Sequence, residues 1–331
     1  GCGDKIATLN ELVPFGVPDT SPPAVDLQTT VKQAVEPPPC ANCKDEGTAL
    51  KAAAVPEERT EEHAPDSLQF VWVYWHGGAA EDELRFSIRS VEQNYQGNAH
   101  ITVVGDKPMW YDGHRIKQNR QKSKVTGFER GLRDVLSKMH TISRHPDIDD
   151  EFVWMMDDVF MVRPTSYENL ITPRAGGEIN QTKGNRWRNI KGNTGRRLQR
   201  NKFSIYDYGT HLPHHIEKAK LQEMFSVWKP LEHVFLWEVA YSNIYKKGPQ
   251  KHVPFLRRVS KSVSGAQYDK WATRNNFFNV MSKGWNESFR NWLVNRFPTR
   301  SSVEDGANAV AKTPTLNEPV EDHYLLIQSA Y

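Results

Sequence analysis

The pattern of apolar and polar positions changes at residue 68. Before it, apolar residues follow no period; after it, they recur at the spacings of strands and helices. Leu68-Gln-Phe-Val-Trp-Val-Tyr-Trp75 reads as a buried strand by length, β-branching and aromatic content, and His76-Gly77-Gly78 ends it in a turn. Leu84, Ile88, Val91 and Tyr95 recur at four, three and four residues, which predicts an amphipathic helix over 81–95. Ile101–Val104 reads as a second strand, ending at Gly105-Asp106. Val125, Phe128, Leu132, Val135 and Met139 mark a second helix, and Glu151–Met156 a third strand that closes on Asp157-Asp158. Beyond residue 205 the pattern turns helical, with candidates at 214–227, 232–246 and 287–297.

Strands alternating with helices predict an α/β domain with a mostly parallel sheet flanked by helices. Ligands of such sheets collect beyond the carboxyl ends of the strands. Three of those ends carry His76, Asp106 and the pair Asp157-Asp158. That is where chemistry is expected.

Composition divides the chain. Residues 1–66 hold 9 of the 20 prolines, all three cysteines and a single aromatic, Phe15. Too little apolar area is available there to offset the entropy of ordering, so an extended arm or linker is expected, with one short helix near 50–55. Residues 67–304 would form the domain and 305–331 a tail. Cys40-Ala-Asn-Cys43 is half of a zinc site, with Cys2 and His63 as the candidates to complete it; the plainer reading is two reduced cysteines. Three cysteines exclude a disulfide framework. No apolar run approaches the ~20 residues that span a bilayer, and no secretory leader is legible. A soluble, cytoplasmic protein of a bacterial or phage-infected cell is the expectation.

Lys+Arg number 43 against 40 Asp+Glu, a formal +3, too small an excess to imply a polyanionic partner for the whole chain. Its distribution says more. Residues 179–206 contain no acid, yet Lys183, Arg186, Arg188, Lys191, Arg196, Arg197, Arg200 and Lys202 are all basic. Gly184, Gly192 and Gly195 suggest a flexible loop, and Trp187 a stacking face. A solvated basic insertion is the plain reading. The functional one is a cradle for nucleic acid or an anionic glycan, contacted by Arg186, Trp187, Arg188, Arg196 and Arg197.

Two aspartates after an apolar strand are costly unless solvated, paired or bound to a cation, and at a strand end they can share a divalent metal with a diphosphate. Asp-Asp also caps turns, so the dipeptide alone does not decide. Its surroundings add to it. Glu83-Leu-Arg-Phe-Ser-Ile-Arg-Ser-Val91, the strand leading to Gly105-Asp106, and Phe152-Val-Trp-Met-Met-Asp-Asp-Val-Phe-Met-Val-Arg-Pro164 together resemble the Stealth family. Thr210-His-Leu-Pro-His214 and Arg296-Phe-Pro-Thr-Arg-Ser-Ser302 extend the likeness, which runs in order over about 68–304. Members of that family transfer hexose 1-phosphate from a nucleotide-sugar to a glycan and are similar to glycosyltransferases of the GT-A type. The resemblance implies a GT-A-like sheet, a nucleotide-sugar donor, first of all uridine-linked, and Mn²⁺ or Mg²⁺. Departures accompany it: His76-Gly77 stands where the family has Asp-Gly, Phe235-Leu236 where it has Phe-Arg, and Asn279-Val280 where it has Asn-Asp. Groups that handle a migrating phosphate are thereby missing, which shifts the expectation to plain glycosyl transfer of the kind phages also encode.

The roles then distribute as follows. Asp157 and Asp158 would hold the metal, with His211 a third ligand if 211 and 215 share a helical face. Glu238 is a lone carboxylate in Phe235–Ala240; desolvation would suit it to take a proton from an acceptor hydroxyl, unless it lies on the wet face of its helix. His214, which matches the family's histidine best, is the other candidate for that proton. His76, Asp106 and Arg163 would contact the donor. The acceptor would be hydroxymethylated phage DNA, or else an anionic glycan or a protein. Two rival functions stand beside this one: hexose-1-phosphate transfer to a glycan, and a non-catalytic nucleic-acid or virion-associated binding protein.

Overall fold

The computed structural model describes residues 65–76, 81–120, 128–180 and 184–305. The expected arm but for its last two residues, the expected tail beyond Asp305, and the zinc candidates Cys2, Cys40, Cys43 and His63 lie outside them.

Among the described residues ten strands and eight helices follow in order: β1 (Ser67–Tyr74), α1 (Glu81–Asn94), β2 (Asn98–Gly105), β3 (His114–Lys117), α2 (Phe128–Ile142), β4 (Glu151–Met155), β5 (Val159–Met161), α3 (Tyr167–Ile171), β6 (Arg174–Ala175), α4 (Arg186–Arg200), β7 (His214–Glu217), α5 (Lys218–Trp228), α6 (Trp237–Tyr245), β8 (Gln250–Lys251), β9 (Leu256–Val259), α7 (Gly265–Ala272), β10 (Phe277–Val280) and α8 (Glu287–Arg296). The main sheet has the order β3-β2-β1-β4-β7. Its first four strands are parallel and β7 runs antiparallel along the free edge of β4. The fold is therefore α/β with a mostly parallel sheet, as the alternation of elements predicts.

Burial on both faces explains why β1 is apolar almost throughout. Side chains of a strand alternate between faces. Phe70, Trp72 and Tyr74 pack with Leu84, Ile88 and Val91 of α1. Val71 and Val73 pack on the other face with Leu136 and Met139 of α2, Met224 of α5 and Trp237 of α6. A second sheet, β5-β10-β9, has α7 and α8 packed around Phe160, Phe278 and Trp292. Because β5 begins four residues after β4 ends, the two sheets meet at Asp157-Asp158.

Three stretches correct the sequence reading. The expected helix over 214–227 begins as strand β7 and turns helical only at Lys218, because His214–Glu217 pair antiparallel with Glu151–Trp154 of β4. The expected helix over 232–246 is shortened to α6. The expected basic loop is largely helix α4. Its N-cap Asn185 accepts from the amide of Arg188 at 2.9 Å, and Trp187, Ile190, Thr194 and Leu198 form its buried stripe. Gly195 serves packing rather than flexibility: a Cβ there would meet Ile179 at 3.3 Å. Short strands β3 and β5–β10, and the helices α3 and α7, had no periodic signal to find.

Candidate active site

At the carboxyl end of β4 the chain turns through Met156-Asp157-Asp158 before entering β5. Both carboxylates are buried, Asp157 at 6% exposure and Asp158 at 2%. Burial and the neighbouring charge of Asp158 push the Asp157 carboxyl well above the usual carboxylate range. Strand β10 meets the pair from the second sheet. Asn279 donates from Nδ2 to Asp158 Oδ2 at 2.9 Å and lies 3.3 Å from His211 Nδ1. His211 itself stands 3.7 Å from Asp158 Oδ2 and is held with φ at +58°, a left-handed conformation that a histidine seldom adopts.

His214 and His215 point to opposite faces of β7, so the helical spacing invoked for His211 and His215 does not arise. His214 lies opposite Trp154 in the ladder, its ring 6.1 Å from that of Trp237. Burial, then the charges of His211 and Lys246, hold its pKa down at about 3. It is a neutral imidazole at pH 7, and its Nε2 has no hydrogen-bond partner among the described residues. His215 faces away and meets Glu151 Oε2 at 3.2 Å.

Glu238 sits in the first turn of α6, 9% exposed. Burial, with a smaller contribution from Asp207, raises its pKa to about 7. It lies on the dry side of its helix, which settles the open question of its face. Asp157, His211, His214 and Glu238 all line one pocket, whose remaining walls are largely apolar, including Val73, Leu132, Trp154 and Trp237. Its volume of about 60 Å³ suits a hydroxyl-bearing group and a few waters, not a nucleotide.

The donor candidates divide. His76 and Asp106 come together at the ends of β1 and β2, where the His76 amide donates to Asp106 Oδ2 at 3.0 Å. Gly105 makes this possible: its φ is +125°, and a Cβ there would lie 2.1 Å from the carbonyl oxygen of Tyr74. Arg163, by contrast, follows the far end of β5, beside Asn276 rather than Asn279, because β5 and β10 are antiparallel. It does not join the site.

The acceptor candidates divide as well. Trp187 is buried at 4% and forms a partition of the pocket rather than an exposed stacking face. Arg186 pairs with Glu129, Arg196 bonds Asn193 one turn away, and the Arg197 guanidinium lies 4.1 Å over Trp228. Arg188 alone of the four arginines lines a cleft that adjoins the pocket.

Two residues with a part here escaped the sequence reading. Asn279 had a signal, a lone amide in the apolar run Phe277-Phe278-Asn279-Val280, and the reading took it only as a departure from a motif. Lys138 is 1% exposed and donates to Tyr74 O at 3.0 Å and to Asp134 Oδ2 at 2.7 Å; its charge favours the ionised form of Asp157. The i,i+4 pair Asp134/Lys138 looks like any surface helix pair until its burial is known.

Among the described residues no three His, Cys, Asp or Glu side chains gather as a ready-made metal cage. The donor set is of another kind: two carboxylates, and the fully buried Asn279 Oδ1, which has no hydrogen-bond partner among the described residues. Hard oxygen donors in that number fit Mg²⁺ or Mn²⁺, which keep other positions for water and phosphate oxygens. No protein-family model matches the chain, and no curated protein matches it.

Proposed function

We propose that this protein is a metal-dependent glycosyltransferase that moves a sugar from a nucleoside-diphosphate sugar to an acceptor hydroxyl, on a GT-A-like fold related to the Stealth family. One observation carries the proposal: Asp157, of the buried Asp157-Asp158 pair at the carboxyl end of β4, lines the same pocket as a buried carboxyl, Glu238, whose pKa is about 7. Like charges buried together call for a cation. Asp157 and Asp158 would hold it, with Asn279, bonded to Asp158, beside them. The ion would supply neutralisation of the departing diphosphate. Donor contacts fall to the β1 and β2 ends, through His76 and Asp106.

The transfer balances simply. The bond from the anomeric carbon to the diphosphate oxygen breaks, and a bond from that carbon to the acceptor oxygen forms. Glu238 takes the hydroxyl proton, and the diphosphate leaves with the bonding pair. A pKa near 7 leaves Glu238 substantially ionised at working pH yet basic enough to accept the proton. His214, neutral and with Nε2 unpartnered, offers a hydrogen bond in that pocket rather than a charge.

A second reading has its own support. Asn279 keeps the asparagine of the Stealth family's Asn-Asp, although Val280 replaces its aspartate, and it bonds Asp158. Hexose-1-phosphate transfer would use the same carboxylates but break the other bond of the diphosphate. Incubation with a panel of nucleotide-sugars and Mn²⁺ separates them. Release of nucleoside diphosphate supports glycosyl transfer, and nucleoside monophosphate supports phosphosugar transfer. Release of neither from any donor defeats both and leaves a binding protein.

A further inference from the structure

A second, larger cleft adjoins the pocket. Its volume is about 770 Å³, within the range of sites that take drug-sized ligands. One wall is α4, which presents Arg188 and Lys191; the other is β9 and the turn after α7, which present Arg257, Arg258 and Arg274. Trp187 and Gly209 line both this cleft and the Asp157–Glu238 pocket, so the two adjoin across those residues.

Charge in the cleft is one-sided. Among the described residues its single acid is Asp207, and Lys191 holds that carboxylate at 2.7 Å. Arg257 lies 4.2 Å over the half-buried ring of Trp271. Arg188 and Arg274 are exposed and have no ion pair among the described residues. A solvated basic helix face would place its cations on one element. Here they converge from segments about 70–90 positions apart in the chain and face one space.

We propose that this cleft binds the phosphodiester backbone of a single-stranded nucleic acid. Four of its five cations are arginine, whose planar fork grips phosphate in bidentate fashion and stacks on bases. The Arg257–Trp271 stack supplies an aromatic platform of the kind that tolerates any base. An anionic glycan would share the charge and can pack a sugar face on the ring; only a planar base can also stack on the arginine forks. A nucleotide lying in the cleft can direct a base-borne hydroxyl past Trp187 and Gly209 into the small pocket, beside Glu238. That last step rests on the glycosyl-transfer reading; the binding does not.

The test uses the full-length protein without donor or metal, and a fluorescent single-stranded oligodeoxythymidine, read by anisotropy over a series of salt concentrations. The doubly substituted Arg257→Ala/Arg274→Ala protein should bind at least tenfold more weakly. Its slope of log affinity against log salt should fall by about 1.4, since each single-strand phosphate contact contributes about 0.7. Arg196→Ala, on α4 but outside the cleft, should bind as the parent does. Arg274→Lys, which keeps the charge but not the fork, should restore the salt slope lost in Arg274→Ala while recovering only part of the affinity, and thermal melting should show every variant folded. Equal binding by the parent and the double variant overturns the proposal. So does a polyuronate that competes better than the oligonucleotide and responds to the same substitutions, which assigns the cleft to an anionic glycan. Donor cleavage measured separately reports on the glycosyl-transfer reading, so either idea can fail alone.

Discussion

Asn279 on β10 donates a 2.9 Å hydrogen bond to the carboxylate of Asp158, a residue 121 positions earlier in the chain, and so ties the second sheet to the end of β4. A neutral amide is the partner that a crowded buried carboxylate tolerates. Replacing it with a carboxylate, Asn279→Asp, removes the donor and adds a third negative charge beside Asp157 and Asp158. Loss of the bond and the unpaired charge should destabilise the metal-free protein by about 1–3 kcal/mol. Mn²⁺ should restore much of that, because three carboxylates hold a divalent ion better than two. Thermal melting with and without Mn²⁺ measures both effects. An unchanged melting temperature in the absence of metal would remove Asn279 from the site.

Asp157→Asn should separate stability from activity. The parent holds two carboxylates in a dry turn, and burial with the Asp158 charge opposes ionisation of Asp157. The amide relieves that repulsion, so the variant should melt at a higher temperature than the metal-free parent at pH 8. Nucleotide release from a nucleotide-sugar should nevertheless vanish, as it should for the parent treated with chelator. A variant with full turnover would falsify the role given to the pair.

How much of this was legible in the sequence depends on how each residue is held. The helices α1, α2 and α8 each bury an apolar stripe, and the strands β1, β2 and β4 are apolar runs covered on both faces, so the reading found them. Asp157, Asp158 and Glu238 stood out as charges next to apolar runs. Helix α4 did not, since its buried stripe of Trp187, Ile190, Thr194 and Leu198 is sparse and its glycines imitate a loop, although Gly195 packs on Ile179. The opposite wall of the basic cleft was equally hidden. Arg257, Arg258 and Arg274 are scattered cations until β9 and α7 fold across from α4.

Gly105 is fixed by its surroundings. With φ at +125° and the Tyr74 carbonyl 2.1 Å from where a Cβ would stand, Gly105→Ala combines backbone strain with a backbone collision. Strain of that kind costs about 1–3 kcal/mol before the collision is counted. The variant should melt at a clearly lower temperature. Donor affinity should fall as well, since Asp106 is positioned by the same turn.

Trp187 was expected to stack on an acceptor base, yet it is a core residue. Trp187→Ala should therefore cost about 3–5 kcal/mol of stability, the usual penalty for emptying an aromatic site. Chemical denaturation gives the figure directly. A loss of acceptor affinity with stability intact would return Trp187 to the surface role that its neighbours in sequence suggested.

Glu238 gives the sharpest test, because activity and stability move oppositely with pH. Its ordinary pKa is 4.5 and burial raises the folded value to about 7. Between those limits the folded state binds the proton more tightly than the unfolded chain, so folding stability falls as pH rises from 4.5 to about 7 and then levels off. The full penalty is on the order of 3 kcal/mol. Glu238→Gln abolishes it, so the variant should gain on the parent at pH 8 and much less at pH 5. The same ionisation should govern the reaction. If Glu238 takes the acceptor proton, kcat/KM should climb with pH through about 7 in the parent, and that limb should disappear in Glu238→Gln together with about 10²–10⁴ of the rate. Stability profiles by denaturant titration and rate profiles by nucleotide release, taken over pH 5–9, supply both halves. A variant that gains stability at high pH yet keeps the parent's rate profile would leave Glu238 a buried structural carboxyl and give the proton to another group in the pocket.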